Sequence, residues 1–292
     1  MARCLAALRK MNPAPLEVIV VDNSEGDPAT RAAAERSGAR YLLMATGGLS
    51  AARNAGARAT RGRFVAYIDD DAVAEPEWVG ALARGFADPA VGAVTGRIRP
   101  LAVEGDAHRT ALAVGLGVTV FDRETPITVD RSMQDWFGVA AFGGIGNGTN
   151  MAFRRSLFDG GFAFHEGTGR GSSVVGYDEH YAFLDLVARG YRVVYCPDAV
   201  VRHPLPDSID DLRNGYVRDV SAFSAFVTLL LVETRHRAAV GRYLWQALRR
   251  ARRPWRTYSA ARPPRLASRA RVALALAAGP LRYLRGRLGF RV

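Results

Sequence analysis

Short apolar runs alternate with helix-patterned stretches along this chain, and that alternation restricts its fold more than any other feature. Leu16 to Val21 (LEVIVV) is a short run rich in β-branched residues, the pattern of a buried strand, and runs into the turn- and cap-forming Asp22-Asn23-Ser24. Thr30 to Ser37 predicts a helix stopped by Gly38, and Tyr41 to Met44 a second strand. Ser50 to Thr60 is an alanine-rich helix, Phe64 to Ile68 (FVAYI) a third strand, and Pro76 to Phe86 a helix with proline in its first turn. Val91 to Ile98 is strand again. Strands and helices at this spacing imply an α/β fold built on a doubly wound, mostly parallel sheet.

The pattern loosens between Pro100 and Gly148, which are glycine-rich. It resumes with a strand at Thr149 to Phe153, a helix at Tyr177 to Arg189 and two short strands, Tyr191 to Tyr195 and Ala199 to His203, separated around Pro197. Helices follow from Ile209. At 292 residues and 49% hydrophobic content, the chain suffices for one large domain with an appendage. The two cysteines, Cys4 and Cys196, make no disulfide framework and point to a reducing compartment. No signal-peptide pattern opens the sequence. The longest apolar run, Ser221 to Val232, falls short of the roughly 18 to 20 residues of a spanning helix and is flanked by Asp219 and Glu233.

In a parallel α/β sheet, ligands bind at the carboxyl ends of strands. Two strands here end in acids: one at Asp22, the other at Asp69-Asp70-Asp71. Three adjacent carboxylates repel one another, which raises their pKa values unless a cation or hydrogen-bond donors compensate. Mg²⁺ or Mn²⁺ suits such hard oxygen ligands together with phosphate oxygens. A solvated acidic loop capping the next helix explains the triplet locally just as well; the apolar strand in front of it favours a site.

These segments, taken in order, resemble the family 2 glycosyltransferases of GT-A fold. The resemblance rests on VIVVDNS (Val18 to Ser24), GLSAARNAG (Gly48 to Gly56), FVAYIDDD (Phe64 to Asp71), VGAVTGRIRP (Val91 to Pro100), GNGTNMAFRR (Gly146 to Arg155) and YDEHYAFLDLVARGYRVVYCPDAVVRH (Tyr177 to His203). It implies a catalytic domain over residues 1–205; beyond it, the residues themselves read as packed C-terminal helices over 206–253 and as a basic linker with an amphipathic membrane-associating helix over 254–292. The resemblance also implies site roles. Asp22 would accept a hydrogen bond from the nucleotide base, with Arg53 and Asn54 near the base or diphosphate. Asp69 and Asp70 would meet the nucleotide sugar. Asp71, Asp69 and His203 would hold Mn²⁺ or Mg²⁺. The loop Gly146, Asn147, Gly148 and Asn150 would flank donor sugar and acceptor. Glu179 would be the base of an inverting transfer, Asp178 its alternate. Gly167 to Gly176 reads as a mobile lid on glycine content. The family's usual first strand has no counterpart, since Ala2 to Met11 (ARCLAALRKM) resembles the helix that follows it. That departure implies exposed strand edges and an incomplete base pocket.

Charge separates the tail from the rest. The chain carries a net +12, yet residues 235–292 hold sixteen arginines and no acid, which leaves the remainder at about −4. With Tyr243, Trp245, Trp255 and Leu274 interleaved, the tail predicts peripheral binding to an anionic membrane, on the cytoplasmic face of the plasma membrane. The expected partners are a nucleotide-diphosphate sugar (most often a UDP-sugar in this family) and a glycan or lipid-linked acceptor. Nucleic acid is not expected, because acidic strand ends would repel it. The alternatives are an impaired or truncated relative acting as a binding or accessory protein, and a nucleotidyltransferase on a similar fold; the latter's glycine-rich phosphate loop is not visible.

Overall fold

The structure, a computed structural model, describes residues 1–114, 122–233, 235–251 and 266–288. Its residues form two compact units. The first holds residues 1–103, the described part of 117–172, and 178–205; the second holds the described part of 104–116, 173–177 and the described residues from 206 onward.

The first unit begins with α1 (Ala2–Leu8), which buries Cys4, Leu5 and Leu8. β1 (Ile19–Asp22) pairs in parallel with β2 (Arg40–Leu43). Between them runs α2 (Pro28–Arg36), capped by the Asp27 carboxylate, which accepts from the amides of Ala29 and Thr30. α3 (Leu49–Ala59) leads to β3 (Phe64–Ile68), the short β4 (Val73–Ala74), α4 (Trp78–Gly85) and the long β5 (Val91–Pro100). Beyond lie β6 (Ile127–Val129), α6 (Trp136–Ala141), β7 (Asn150–Arg154), α7 (Arg155–Asp159), α8 (Asp178–Ala188) and β8 (Arg192–His203); α5 (Gly105–Val114) belongs to the second unit.

The larger sheet runs β3-β7-β5-β8-β4, with β6 also on β8. β5 and β8 are parallel neighbours. β7 lies between β3 and β5 and is antiparallel to both, so β3, β5 and β8 point the same way with one reversed strand among them. β8 is one strand of twelve residues where the sequence suggested two. Pro197 interrupts the ladder instead of ending it: the register jumps from the pair Gly96–Cys196 to the pair Arg97–Val200. Gly96 is required there, because a Cβ would stand 2.2 Å from the carbonyl oxygen of Ala199. The core beneath the sheet is aromatic. Phe153 on β7 stacks on Phe162 and Phe183 and meets Phe164 and Tyr67 edge-on.

The sheet is split. β1 and β3 each have one paired edge, and among the described residues no strand joins their other edges. A cavity of about 450 Å³ lies between them, lined by Val18, Ile19 and Val21 on one side and Phe64 to Asp69 on the other. Its walls are mostly apolar, and Arg53, Asp69 and Gly148 also line it.

The second unit is helical. α9 (Ile209–Val232) is its core helix, burying Leu212, Ala222, Ala225, Phe226, Leu229 and Leu230. α5, α10 (Arg237–Ala251) and α11 (Arg269–Arg287) pack on it. Gly279 of α11 lies on the Ser221 carbonyl and the Ala225 amide, closer than any larger residue would allow. By length and composition α9 is apolar enough to cross a membrane, which corrects the sequence-based expectation of no such helix; a third of that window is buried within the protein. The expected linker falls outside the described residues except 266–268.

Half-open strands exchange their amide hydrogens through small local openings. In native-state hydrogen exchange, amides of β1 and β3 are expected to exchange well before those of β5 and β8, which are paired on both sides. Equal protection across the four strands would show the gap to be closed in solution.

Candidate functional site

The carboxyl end of β3 delivers Asp69, Asp70 and Asp71 to the surface, and the end of β8 brings His203 to meet them. The His203 Nε2 atom lies 3.7 Å from Asp69 Oδ2 and 3.4 Å from Asp71 Oδ1. One ligand atom from each of the three residues falls within 4.8 Å of the others. Asp70 turns away: its carboxylate is 80% exposed, 3.7 Å from the Met1 ammonium nitrogen. The middle aspartate therefore stands outside the cluster.

Each group in the cluster is oriented. His203 Nδ1 contacts the Pro204 carbonyl oxygen at 2.7 Å. A proton on Nδ1 donates there and leaves the Nε2 lone pair facing the two carboxylates, the tautomer a metal requires. Asp69 Oδ2 accepts from the Thr149 hydroxyl at 2.8 Å. Burial pushes the Asp69 pKa up, but the bond to His203, the nearby Arg53 charge and the bond from Thr149 outweigh it and hold the group at about 2. Burial likewise opposes charge on His203, and the Asp69 hydrogen bond and the Asp71 charge reverse it, so the pKa is raised. Two oxygen donors and one imidazole form a donor set that fits Mn²⁺ or Mg²⁺. Cis ligands of an octahedral ion with bonds of about 2.1 Å lie about 3 Å apart, so small rotations of these side chains would close on one.

A second cluster adjoins the first. Arg53 Nη1 donates to Asp178 Oδ2, and Arg53 Nη2 donates to the Gly148 carbonyl at 3.3 Å; guanidinium and carboxylate are both almost wholly buried. A Cβ at Gly148 would stand 2.4 Å from the guanidinium, so any larger residue there displaces Arg53 from its place beside Asp178. Tyr67 of β3 steadies this end of α3 by donating to the Arg53 carbonyl at 3.1 Å. Contacts thus pass from Asp178 through Arg53 and Gly148 to Thr149, Asp69, His203 and Asp71. Next to Asp178, Glu179 is largely buried, its Oε1 3.4 Å from His180 Nδ1. Tyr177, just before this pair, has φ of 63°, a left-handed conformation that bulky residues rarely adopt and that clusters at functional sites.

Several residues expected at the ligand serve the framework. Asn54 is buried; its Oδ1 accepts from the Phe164 amide and its Nδ2 donates to the Phe164 carbonyl. Asn150 is fully buried; its Oδ1 accepts from the Trp78 indole at 2.8 Å, and its Nδ2 donates to the carbonyls of Arg97 and Ala199. Both amides are therefore occupied by the framework. Asn147 Oδ1 accepts from the Thr149 amide, closing a turn. Gly146 (φ 133°) presses on Thr95. The glycines of this loop serve close packing, not mobility. Asp22 lies on the β1–β2 side, its oxygens accepting from Ser24 and from the Tyr41 hydroxyl. The start of the expected lid is anchored too: the Leu49 amide donates to the Arg170 carbonyl and the Ser50 hydroxyl to the Thr168 carbonyl. Sequence reasoning missed Thr149, although it stands between two residues that were singled out.

A family model described as Glycosyl transferase family 2 matches residues 1–162. The chain belongs to glycosyl transferase family 2. It is 32% identical over 89 residues to a putative glycosyltransferase, EpsH, of Bacillus subtilis (strain 168), a match over 29% of this chain and 26% of EpsH. Among solved structures it is similar to S. aureus TarS (TM-score 0.54, 16% identity), covering 87% of this chain and 41% of that one. It is also similar to TarS 1-349 in complex with UDP-GlcNAc (TM-score 0.54, 15% identity), covering 85% of this chain and 67% of that one. At these identities the structural likeness speaks for the fold, the GT-A architecture. The chain spans about a quarter of EpsH and under half of full TarS.

The geometry separates cluster from framework in an experiment. Asn150→Ala leaves a buried indole N–H and two carbonyls unpartnered, and is expected to lower stability by about 3 kcal/mol in urea unfolding. Asp71→Ala, on a half-exposed side chain, is expected to stay within about 0.5 kcal/mol while weakening Mn²⁺ binding. In the metal-free protein the charged His203 stabilises the fold below its ordinary pKa, and that contribution fades as pH rises through the raised value. A metal takes the neutral ring and displaces the proton, so calorimetric Mn²⁺ affinity is expected to climb with pH and to lose that slope in His203→Ala. A pH-independent affinity would remove His203 from the donor set.

Proposed function

We propose that this chain is an inverting glycosyltransferase that moves a sugar from a nucleotide-diphosphate donor to a hydroxyl of a glycan or lipid-linked acceptor. The observation that carries the proposal is the convergence of Asp69, Asp71 and His203, joined through Thr149, Gly148 and Arg53 to the carboxylates that open α8. A UDP-sugar is the favoured donor, in keeping with TarS, whose solved structure holds UDP-GlcNAc. Asp69, Asp71 and His203 would hold Mn²⁺ or Mg²⁺, which when bound neutralises charge on the diphosphate leaving group.

The remaining chemistry falls to this chain's own side chains. The acceptor oxygen attacks the anomeric carbon as the bond from that carbon to the diphosphate breaks and the diphosphate leaves with the electron pair. The acceptor proton must pass to a carboxylate. Asp178 is tied to Arg53, so it positions the guanidinium. Among the described residues, Glu179 lies against His180 and not against an arginine, and it takes the base role in this reading. Arg53, fixed by Asp178, supplies positive charge beside the donor's phosphates. The arginine-rich tail favours a reaction at the cytoplasmic face of the plasma membrane, where a lipid-linked acceptor is met.

A second reading draws on the gap between β1 and β3, which opens one wall beside Arg53 and Asp69. There the chain binds nucleotide without turnover, as an accessory protein. One set of variants separates the two. Glu179→Gln is expected to lower transfer or donor hydrolysis by about 10²- to 10⁴-fold while a UDP- and Mn²⁺-dependent thermal shift persists. Wild-type turnover by Glu179→Gln would unseat it as base. A thermal shift with no turnover in the unmodified chain would favour the accessory reading.

A further inference from the structure

The outward face of α11 is apolar along its whole length. Ala275, Gly279 and Tyr283 are the buried side of this helix, and α9 packs on it. Opposite them, at helical spacing, stand Ala270, Ala273, Leu274, Ala277, Leu281, Leu284 and Leu288. Leu274 is 70% exposed, Leu281 63% and Leu288 73%. One exposed leucine is ordinary, but a continuous stripe of them is not. Arginines border the stripe on both sides: Arg271, Arg282 and Arg285 along one edge, Arg269 and Arg287 along the other. The helix contains no acid.

We propose that this face is an in-plane docking surface for an anionic phospholipid bilayer. The leucines would enter the boundary between headgroups and acyl chains, while the arginines, on long apolar stems, reach sideways to the lipid phosphates. Charge decides among occupants. A nucleic acid would engage the arginines and leave the leucines in water, and a second copy of this helix would set arginine against arginine. The arginines at both ends leave no apolar run of about 20 residues, so the helix lies in the membrane plane and does not cross it. The inference rests on α11 itself and holds whether or not the chain transfers a sugar.

The test uses the full chain and phosphatidylcholine vesicles with and without phosphatidylglycerol, in a flotation assay. Binding is expected only with the anionic lipid, and it falls as salt is raised. The triple variant Leu274→Ser, Leu281→Ser, Leu288→Ser alters only exposed side chains and should keep the wild-type circular dichroism. It is expected to lose about tenfold or more of vesicle binding. In separate variants, Leu274→Trp and Leu288→Trp should both be quenched by shallow brominated lipid. Unchanged binding by the triple serine variant would overturn the proposal, as would equal binding to neutral vesicles or deep quenching at one end only. Duplex DNA binding that survives the serine changes, with no vesicle binding, would also overturn it and assign the arginines to nucleic acid. Loss of vesicle binding with intact nucleotide-dependent thermal shift separates this surface from the transfer site.

Discussion

A guanidinium and a carboxylate, both nearly removed from water, meet where α3 faces the first turn of α8. The pair of Arg53 and Asp178 is the fixed point around which the site is arranged. Truncating one member of a buried pair strands the other charge and destabilises by about 3 to 5 kcal/mol, whereas the intact pair adds little net stability. Its value here is positional. Arg53 also holds the Gly148 carbonyl, so the loop leading to Thr149 and β7 takes its place from the same guanidinium. Thr149 then fixes Asp69, and the Arg53 charge helps to keep Asp69 ionised.

This arrangement explains why three consecutive aspartates do different things. A strand alternates its side chains, and the chain turns just beyond Ile68, so Asp69 and Asp71 face His203 while Asp70 faces solvent. His203 comes from the far end of β8, delivered by the parallel pairing of β5 with β8 up to Pro100 and His203. The irregularity at Pro197 matters to this placement, because it shifts the register before the strand reaches the histidine.

Much of the fold could be read from apolar periodicity, because apolar runs such as Val18 to Val21 and Phe64 to Ile68 declare strands in a few residues, although both are only partly buried, along the cavity between β1 and β3. The carboxylates at their ends and His203 were legible for the same reason: they follow such strands directly. Legibility failed where a polar residue is used by the backbone. Asn54 and Asn150 have the composition of ligand-binding residues, yet each satisfies buried groups contributed by residues 40 or more positions away. The glycines of 146–148 read as loop freedom, and they are room made for Thr95 and Arg53. Thr149 shows no local signal, since its partner Asp69 comes from a strand paired with β7 only in the folded sheet. Pro197 read as a strand boundary because proline removes one ladder hydrogen bond, but the neighbours on β5 carry the strand past it.

Asp69, Asp71 and His203 are proposed to form one metal centre beside the nucleotide diphosphate. Anomalous diffraction at the manganese edge, on crystals grown with Mn²⁺ and UDP, tests it most directly. One strong peak is expected, bonded to Asp71 and to His203 Nε2, next to Asp69, with the diphosphate oxygens on its open side. A peak away from His203, or bound UDP with no metal at these three residues, would contradict it.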